Sequence, residues 1–192
     1  MIKSNKITGV ILAGGKSKRM GEDKGLMELN GKRMVEYPIE TLREFVHGIL
    51  IIANKQEYQT IEKNVVPDMY TDRGPLCGIV TAMHNARTPW IMVMPCDTPY
   101  VKGEVLERLL ETGKDAEISI TEHHRIEPLI GLYSTSVLSK MECLMNKGYR
   151  RMIDVVDHFN TKRVSMNRIM EKYEEDLFVN VNTYDQVNSY DN

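Results

Sequence analysis

The first turn of the chain combines glycines and positive charges in a way that suits a polyphosphate. Gly14 and Gly15 end a short apolar run, and four Lys or Arg residues follow between positions 16 and 24. Glycines let backbone N–H groups approach a ligand closely. Arg19 offers a planar fork for bidentate phosphate contact, whereas Lys24 acts as a point charge. The segment therefore predicts a cradle for a polyphosphate.

This loop departs from the two standard phosphate-binding motifs. A Walker A motif ends in Gly-Lys-Ser/Thr, but here Gly21 is followed by Glu22, and Lys24 comes later. The dinucleotide pattern G-x-G-x-x-G is absent. A solvated turn would account for the glycines, but it leaves four cations within nine residues unexplained.

A carboxylate further along the chain can supply the metal ion that accompanies a polyphosphate. Asp97 follows the apolar run at residues 90–94. Mg²⁺ is bound through one or two carboxylates together with substrate phosphates, and it can bridge those phosphates. The residues alone leave an alternative open, in which Asp97 or Thr98 caps a helix that begins near Val101.

The apolar runs and the segments between them predict an α/β fold. Strands are expected at residues 7–13, 48–53, 90–94, 116–120 and 129–133, and helices at 34–46, 76–86, 103–111 and 135–145. Buried strands that alternate with amphipathic helices indicate a three-layer α/β/α sandwich with a mostly parallel sheet. Ligands of such sheets bind at the carboxyl ends of the strands, so Gly14 and Asp97 are expected to face each other.

The pattern is weaker beyond residue 134. Residues 152–159 favour a helix, 162–165 a short strand, and 178–182 a short strand or extended segment, while 167–175 are ambiguous. In an extended segment, Asn180 and Asn182 share one face. His123, His124 and Arg125 precede the last long apolar run, and a solvated hairpin loop is expected there.

Size and composition narrow the classes of protein. The length of 192 residues favours a single domain over 1–192, and a net charge of −2 gives no basic field for nucleic acid. The three cysteines form no C-x-x-C pair, which argues for a reducing compartment and against a zinc site. No apolar stretch approaches the ~18 residues of a membrane span, and the N-terminus lacks the shape of a signal peptide. A cytoplasmic protein is expected.

Residues 12–24, L-A-G-G-K-S-K-R-M-G-E-D-K, resemble the signature of nucleotidyltransferases that act on a phosphorylated acceptor. The resemblance is strongest to the molybdenum cofactor guanylyltransferases, because cytidylyltransferases typically carry Ala-Ala-Gly where this chain has Gly14 and Gly15. Further matches keep the family's order at residues 28–32, 74–78, 95–99, 127–129 and 178–183. The resemblance implies a Rossmann-like nucleotidyltransferase fold with a mixed sheet. It also implies Mg²⁺-dependent transfer of GMP from GTP to molybdopterin, with release of pyrophosphate.

The same resemblance implies roles for individual residues. The implied catalytic residues are Arg19, Lys24 and Asp97, and Asp97 is also the implied metal ligand. Asn180 and Asn182 are implied to bind the molybdopterin phosphate. The implied GTP-binding residues are Leu12, Ala13, Gly14, Gly15, Lys24, Asn54, Asp68, Gly78 and Asp97. Asp72 competes with Asp68 for the nucleoside, and a strand-ending turn would explain Asn54 equally well.

Two alternatives remain from the sequence. One is a cytidylyltransferase or sugar-phosphate nucleotidyltransferase of the same fold. The other is a non-catalytic GTP-binding module, against which the joint presence of Lys24 and Asp97 argues. The expected partners are GTP, molybdopterin and, transiently, proteins that deliver the molybdenum cofactor, without nucleic acid or membrane.

Overall fold

Nine strands and five α-helices make up the part of the chain that the computed structural model describes, residues 2–14, 23–70, 74–173 and 175–181. The strands are β1 (Ile7–Leu12), β2 (Glu28–Leu29), β3 (Lys32–Arg33), β4 (Gly48–Ile52), β5 (Val65–Val66), β6 (Trp90–Pro95), β7 (Ile118–Glu122), β8 (Ile126–Ser134) and β9 (Thr161–Ser165). The helices are α1 (Glu36–Arg43), α2 (Gly74–Asn85), α3 (Gly103–Thr112), α4 (Leu138–Asn146) and α5 (Asn167–Tyr173).

Seven of these strands form one mixed sheet in the order β5-β4-β1-β6-β8-β7-β9. Strand β1 pairs in parallel with β4 and β6, so that Val10 lies between Leu50 and Val93. The pairs β4–β5 and β7–β9 are also parallel, whereas β8 runs antiparallel to both β6 and β7. The predicted mostly parallel mixed sheet is confirmed.

Helices cover both faces of the sheet and bury two apolar clusters. On one face Ile11 of β1 packs in a cluster with Leu42 of α1 and with residues of α3. On the other face the neighbouring Val10 packs with Ile79 of α2 and Met141 of α4. Successive residues of a strand point to opposite faces, which is why β1 is continuously apolar over residues 9–12. Full burial of each such side chain contributes about 1.5–3 kcal/mol, so the three-layer arrangement follows directly from the apolar runs.

Several predicted element bounds differ from the structure. The helix expected at 34–46 is confined to α1, and the helix expected at 152–159 is two 3₁₀ turns, Met152–Asp154 and Val156–His158. The ambiguous stretch at 167–175 contains α5. Of the two alternatives for residues 178–182, the short strand is wrong for the described residues, because Phe178 ends a 3₁₀ turn and 179–181 join no strand ladder. The extended segment stays a prediction.

The carboxyl ends of the four parallel strands β5, β4, β1 and β6 lie at the same end of the sheet. Strand β1 lies between β4 and β6, and the connections that lead to these neighbours pass to opposite sides of β1. A crevice at the carboxyl end of the central strand is the result, and ligands of open α/β sheets bind in such crevices. No helix among the described residues is long and apolar enough to cross a bilayer.

Candidate active site

Backbone hydrogen bonds extend the sheet into the first loop and fix where the loop begins. The Ala13 N–H donates to the carbonyl of Ile52 at 2.9 Å, and the Cys96 N–H donates to the carbonyl of Leu12 at 3.1 Å. The chain after β1 is thereby held to the ends of both neighbouring strands. Gly14, which follows, is exposed at this edge.

Asp68 lies in a narrow groove between two glycines. A Cβ at Gly14 would lie 3.1 Å from Asp68 Oδ2, and a Cβ at Gly78 would lie 3.0 Å from Leu12 Cδ2 and 3.7 Å from Asp68 Oδ1. Asn54 Oδ1 accepts the Asp68 N–H at 3.2 Å. The structure thus brings together five residues that the sequence placed in a nucleotide site. Both glycines are packed closely against their neighbours, and a side chain at Gly14 would crowd the carboxylate.

A threonine that sequence reasoning missed holds this carboxylate. Thr81 is fully buried in α2, where its hydroxyl accepts the Met69 N–H at 3.1 Å and donates to Asp68 Oδ1 at 3.4 Å. The Cys77 thiol, one turn earlier in the same helix, donates to the Tyr70 carbonyl at 3.5 Å. Burial raises the pKa of Asp68, although the hydrogen bonds from Cys77 and Thr81 partly oppose the shift. Asp68 is therefore a half-buried hydrogen-bond acceptor whose Oδ1 is held by Thr81.

Asp97 follows β6 and faces Lys24. Lys24 Nζ lies 3.4 Å from Asp97 Oδ2, and the two side chains are 28 % and 19 % exposed. The helix-cap alternative for Asp97 is wrong, because α3 begins only at Gly103, and the residue at its N-cap is Lys102. Thr98 is not the cap either, since its hydroxyl donates to the Pro95 carbonyl at 3.1 Å within the turn. The carboxylate of Asp97 is therefore directed to Lys24 and the crevice.

Asp97 is the residue of this site that could hold a metal ion. No group of three or more His, Cys, Asp or Glu residues within the described ranges is arranged to hold a metal. Mg²⁺ commonly takes only one or two carboxylates and completes its shell with water and substrate phosphates. Burial, reinforced by the charge of Asp97, raises the pKa of the Cys96 thiol. These effects favour the neutral thiol form of Cys96.

The last described segment reaches the same place from the other end of the chain. The Val181 N–H donates to the Asp97 carbonyl at 2.9 Å. The Val181 side chain is fully buried in a small cluster with Met27, Leu29 and Met34. Half-buried Asn180 consequently lies beside the residue that follows β6. Gly15, Arg19, Asp72 and Asn182 lie outside the described residues, and their roles remain predictions.

Sequence reasoning missed two further residues, Tyr58 and Asp23, which hydrogen-bond to each other beside Lys24. Tyr58 is fully buried in the 3₁₀ turn Gln56–Thr60, and its hydroxyl donates to Asp23 Oδ1 at 2.5 Å. The Gly25 N–H donates to the same oxygen at 3.2 Å. Tyr58 and Asp23 are 35 positions apart, so no local pattern in the sequence connects them.

The expected hairpin exists, but one of its residues is not solvated. His124 and Arg125 are exposed at the tip between β7 and β8, whereas the side chain of His123 is only 9 % exposed. Its ring stacks on Phe178, with centroids 4.6 Å apart and planes inclined by 5°. Burial lowers the pKa of His123. The hairpin therefore packs on the segment that carries Asn180, at the sheet edge where Asp97 lies.

Comparison with known proteins matches most of the chain. A family model described as a MobA-like NTP transferase domain matches residues 9–163. A probable molybdenum cofactor guanylyltransferase of Geobacillus sp. (strain WCH70) is 35 % identical over 187 residues, which cover 93 % of this chain and 95 % of that protein. A molybdenum cofactor guanylyltransferase of Shewanella sp. (strain MR-4) is 37 % identical over 191 residues, covering 95 % and 94 %.

Solved structures share the fold over nearly the whole chain. A protein of Aquifex aeolicus VF5 has a TM-score of 0.79 at 29 % identity, with 95 % of this chain and 96 % of that chain covered. Molybdopterin-guanine dinucleotide biosynthesis protein A of Archaeoglobus fulgidus has a TM-score of 0.78 at 24 % identity, with 95 % of each chain covered. These neighbours confirm the α/β nucleotidyltransferase fold.

Proposed function

Because the chain belongs to the MobA-like NTP transferase family, we propose that it transfers GMP from GTP to molybdopterin. The products are molybdopterin guanine dinucleotide and pyrophosphate. Relatives that are 35 % and 37 % identical bear the name molybdenum cofactor guanylyltransferase, which supports this choice of donor and acceptor. The observation that carries the proposal is that Asp68 and Asp97 each come just after a strand of the parallel part of the sheet, with Lys24 beside Asp97.

The groove around Asp68 suits a guanine edge. Guanine presents two adjacent N–H donors, and a carboxylate can accept both at once. A side chain at Gly14 would crowd this carboxylate, and hydrogen bonds from Asp68 to Asn54 and from Thr81 to Asp68 hold the acceptor in place. A base without that donor pair leaves a half-buried carboxylate unpaired, and sites of this kind reject such ligands strongly.

We infer that the triphosphate of a nucleotide bound beside Asp68 extends to Lys24 and Asp97. Asp97 would hold Mg²⁺, which when bound supplies positive charge to the donor phosphates. Lys24 is the point charge on the same side, and in the absence of ligand it pairs with Asp97. We expect Lys24 to exchange this carboxylate for phosphate oxygens, and we expect Arg19 to contribute a second cation from outside the described residues.

The reaction itself asks little covalent chemistry of the protein. An oxygen of the molybdopterin phosphate attacks the α-phosphorus of GTP, a new P–O bond forms, and the bond to the β-phosphate oxygen breaks. Pyrophosphate leaves with the electron pair of that bond. The attacking oxygen is already an anion, so no general base is required. Positioning and charge stabilisation by Lys24 and its neighbours supply the catalysis.

Asn180 is proposed to bind the acceptor, together with Asn182. Because the Val181 N–H donates to the carbonyl of Asp97, which follows β6, Asn180 lies near the proposed metal ligand. An amide side chain can donate hydrogen bonds to a phosphate without adding charge. This arrangement fits an acceptor phosphate that must approach a metal-bound triphosphate.

The experiment that tests the function measures pyrophosphate release with molybdopterin and each of the four NTPs in turn, with Mg²⁺ present. We expect release with GTP and little with ATP, CTP or UTP. Preferential use of CTP would establish the cytidylyltransferase alternative instead. Tight GTP binding without release of pyrophosphate from any NTP would leave the non-catalytic binding module as the better description.

A further inference from the structure

The residue that precedes Lys24 accepts a hydrogen bond from a buried tyrosine that is remote in sequence. The Tyr58 ring belongs to the apolar cluster beneath α1 and α3, and its hydroxyl points out of that cluster to Asp23 Oδ1, 2.5 Å away. A buried tyrosine hydroxyl usually requires a hydrogen-bond partner. Here the partner is the residue that directly precedes Lys24.

Asp23 bonds the backbone beside Lys24 through one carboxylate oxygen and faces a lysine side chain with the other. Its Oδ1 accepts from Tyr58 and also from the Gly25 N–H at 3.2 Å, which caps the 3₁₀ turn Lys24–Leu26. Its Oδ2 lies 3.8 Å from Lys55 Nζ, and the Asp23 side chain is only 12 % exposed. The residues on both sides of Lys24 are therefore immobilised by one carboxylate.

Gly25 then ties this turn to the strand that carries Asp97. A Cβ at position 25 would lie 2.4 Å from the Tyr58 hydroxyl and 3.2 Å from the Cβ of Cys96. The Gly25 carbonyl also accepts the Val35 N–H at 3.0 Å. The backbone at Gly25 thus lies directly against the residue before Asp97, which fixes the Cα of Lys24 relative to the proposed metal ligand.

We propose that Tyr58 and Asp23 are positioning residues, which hold Lys24 where it can bind the phosphates of the nucleotide. A lysine side chain has four rotatable carbon–carbon bonds, so the protein controls its reach mainly by fixing the backbone that bears it. Misplacement by about 1 Å can cost about 100-fold in rate. This inference rests on the proposed nucleotidyl transfer, and it adds two residues that touch neither substrate.

The first test compares Tyr58→Phe with Tyr133→Phe in the full chain. Both tyrosines are fully buried, and each hydroxyl donates one hydrogen bond, to Asp23 and to the Pro128 carbonyl respectively. Tyr133→Phe therefore controls for the loss of a buried hydroxyl as such. We expect Tyr58→Phe to lower kcat and the affinity for inorganic tripolyphosphate by about 10-fold to 100-fold, with guanosine affinity unchanged. Tyr133→Phe should change none of the three.

The second test asks whether Tyr58 acts through Lys24. In a double-mutant cycle for kcat/KM, Tyr58→Phe should cost much less in the Lys24→Ala background than in the wild type, because residues that act through one another are not additive. Less than a twofold further loss is expected. Full additivity of the two substitutions would overturn the proposal.

A variant that spares the core keeps the test informative if Tyr58→Phe fails to fold. Asp23→Ala leaves the Tyr58 ring in place and removes the carboxylate that accepts from Tyr58 and Gly25 and faces Lys55. We expect the same selective loss of tripolyphosphate binding. Unchanged tripolyphosphate binding in folded Asp23→Ala would overturn the proposal, as would equal losses of guanosine and tripolyphosphate. If the wild type itself releases no pyrophosphate from any NTP, the proposed function fails, which is a different result from an active wild type with an equally active Tyr58→Phe.

Discussion

At the scale of single residues, the site keeps its charges paired before a ligand arrives. Asp97 and Lys24 are 3.4 Å apart and partly exposed, so the pair contributes little to stability, about 0–1 kcal/mol. Its value lies in what replaces it. When the substrate separates this pair, we expect a divalent ion to bind Asp97 and phosphates to bind Lys24. Neither charge is then left buried and unpaired.

Asp97→Asn is expected to abolish most of the turnover and leave the fold intact. Loss of the carboxylate charge weakens the hold on Mg²⁺, and loss of one electrostatic stabiliser typically costs about 10²–10³ in rate. Pyrophosphate release gives the rate, and a thermal melt of the same sample gives the stability. A folded Asp97→Asn protein with near-normal turnover would contradict the assignment. Exposed Lys63 offers a control, because Lys63→Ala should leave both measurements unchanged.

Asp68→Asn is expected to stabilise the free protein at neutral pH and weaken its binding of guanosine. Burial raises the pKa of Asp68 above its unfolded value, so the native state binds that proton more tightly than the unfolded state does. The ionised carboxyl therefore reduces stability at pH above both pKa values, and the reduction disappears as pH falls below them.

The corresponding measurement is Tm as a function of pH for the wild type and Asp68→Asn. The difference in Tm should be largest near pH 7 and should shrink as the solution is acidified. Guanosine affinity of the wild type should fall in the same acidic range, since the acceptor becomes protonated. A constant difference in Tm across pH would mean that the substitution acts through packing and not through the charge.

At the scale of elements, the crevice is built by strand ends and closed by a segment that belongs to no strand. Residues 179–181 make their described backbone bond to the Asp97 carbonyl through Val181. Phe178 in turn carries the buried ring of His123 from the β7–β8 hairpin. The segment is thus held between the site and the hairpin, which gives it a fixed position without sheet hydrogen bonds.

The acceptor role of this segment predicts a selective kinetic effect. Replacement of both Asn180 and Asn182 by Ala should raise the apparent KM for molybdopterin and leave the affinity for GTP nearly unchanged, since only the acceptor phosphate loses hydrogen-bond donors. Initial rates at varied molybdopterin, with GTP affinity from calorimetry, separate the two. A comparable loss of GTP affinity would place these amides on the donor or metal side of the site.

Elements with a continuous apolar pattern were predictable, and elements stabilised by single contacts were not. Strands β1 and β6 could be predicted because a helix layer covers each of their faces, so that their sequences are apolar. The positions of Gly14 and Asp97 could then be predicted as well, because each comes just after one of these strands. The turns at Met152–Asp154 and Val156–His158 lack such a pattern. The 178–182 segment does alternate, but Val181 is buried in a cluster with Met27, Leu29 and Met34, and residues 179–181 pair with no strand.

The same distinction holds within the site. Asn54, Asp68 and Gly78 could be grouped from the sequence, since two of them follow strands and the resemblance includes all three. Thr81 and Tyr58 could not, because their contacts depend on how α2 and the Gln56–Thr60 turn pack against loops far away in sequence. Second partners of functional groups are set by tertiary packing, which single-sequence patterns do not contain.

At the scale of the whole molecule, nucleotide binding should be visible as stability. A ligand that binds only the folded chain at ~100 Kd adds roughly 2.7 kcal/mol, which for a chain of this size raises Tm by roughly 5–11 °C. GTP with Mg²⁺ should produce this shift, and CTP and UTP should produce little. A thermal melt with each nucleotide at millimolar concentration measures it. Equal shifts with CTP and GTP would move the cytidylyltransferase alternative ahead.

The contact between Gly25 and Tyr58 also constrains the order in which the sequence can change over evolutionary time. A Cβ at position 25 would collide with the tyrosine hydroxyl, 2.4 Å away. Any lineage must therefore lose Tyr58 before it can accept another residue at position 25. The reverse order passes through a protein that carries both bulky groups. Position 25 is therefore expected to stay glycine wherever position 58 is tyrosine. Homologues should include chains with Gly25 but no tyrosine at 58, and none with Tyr58 and another residue at 25.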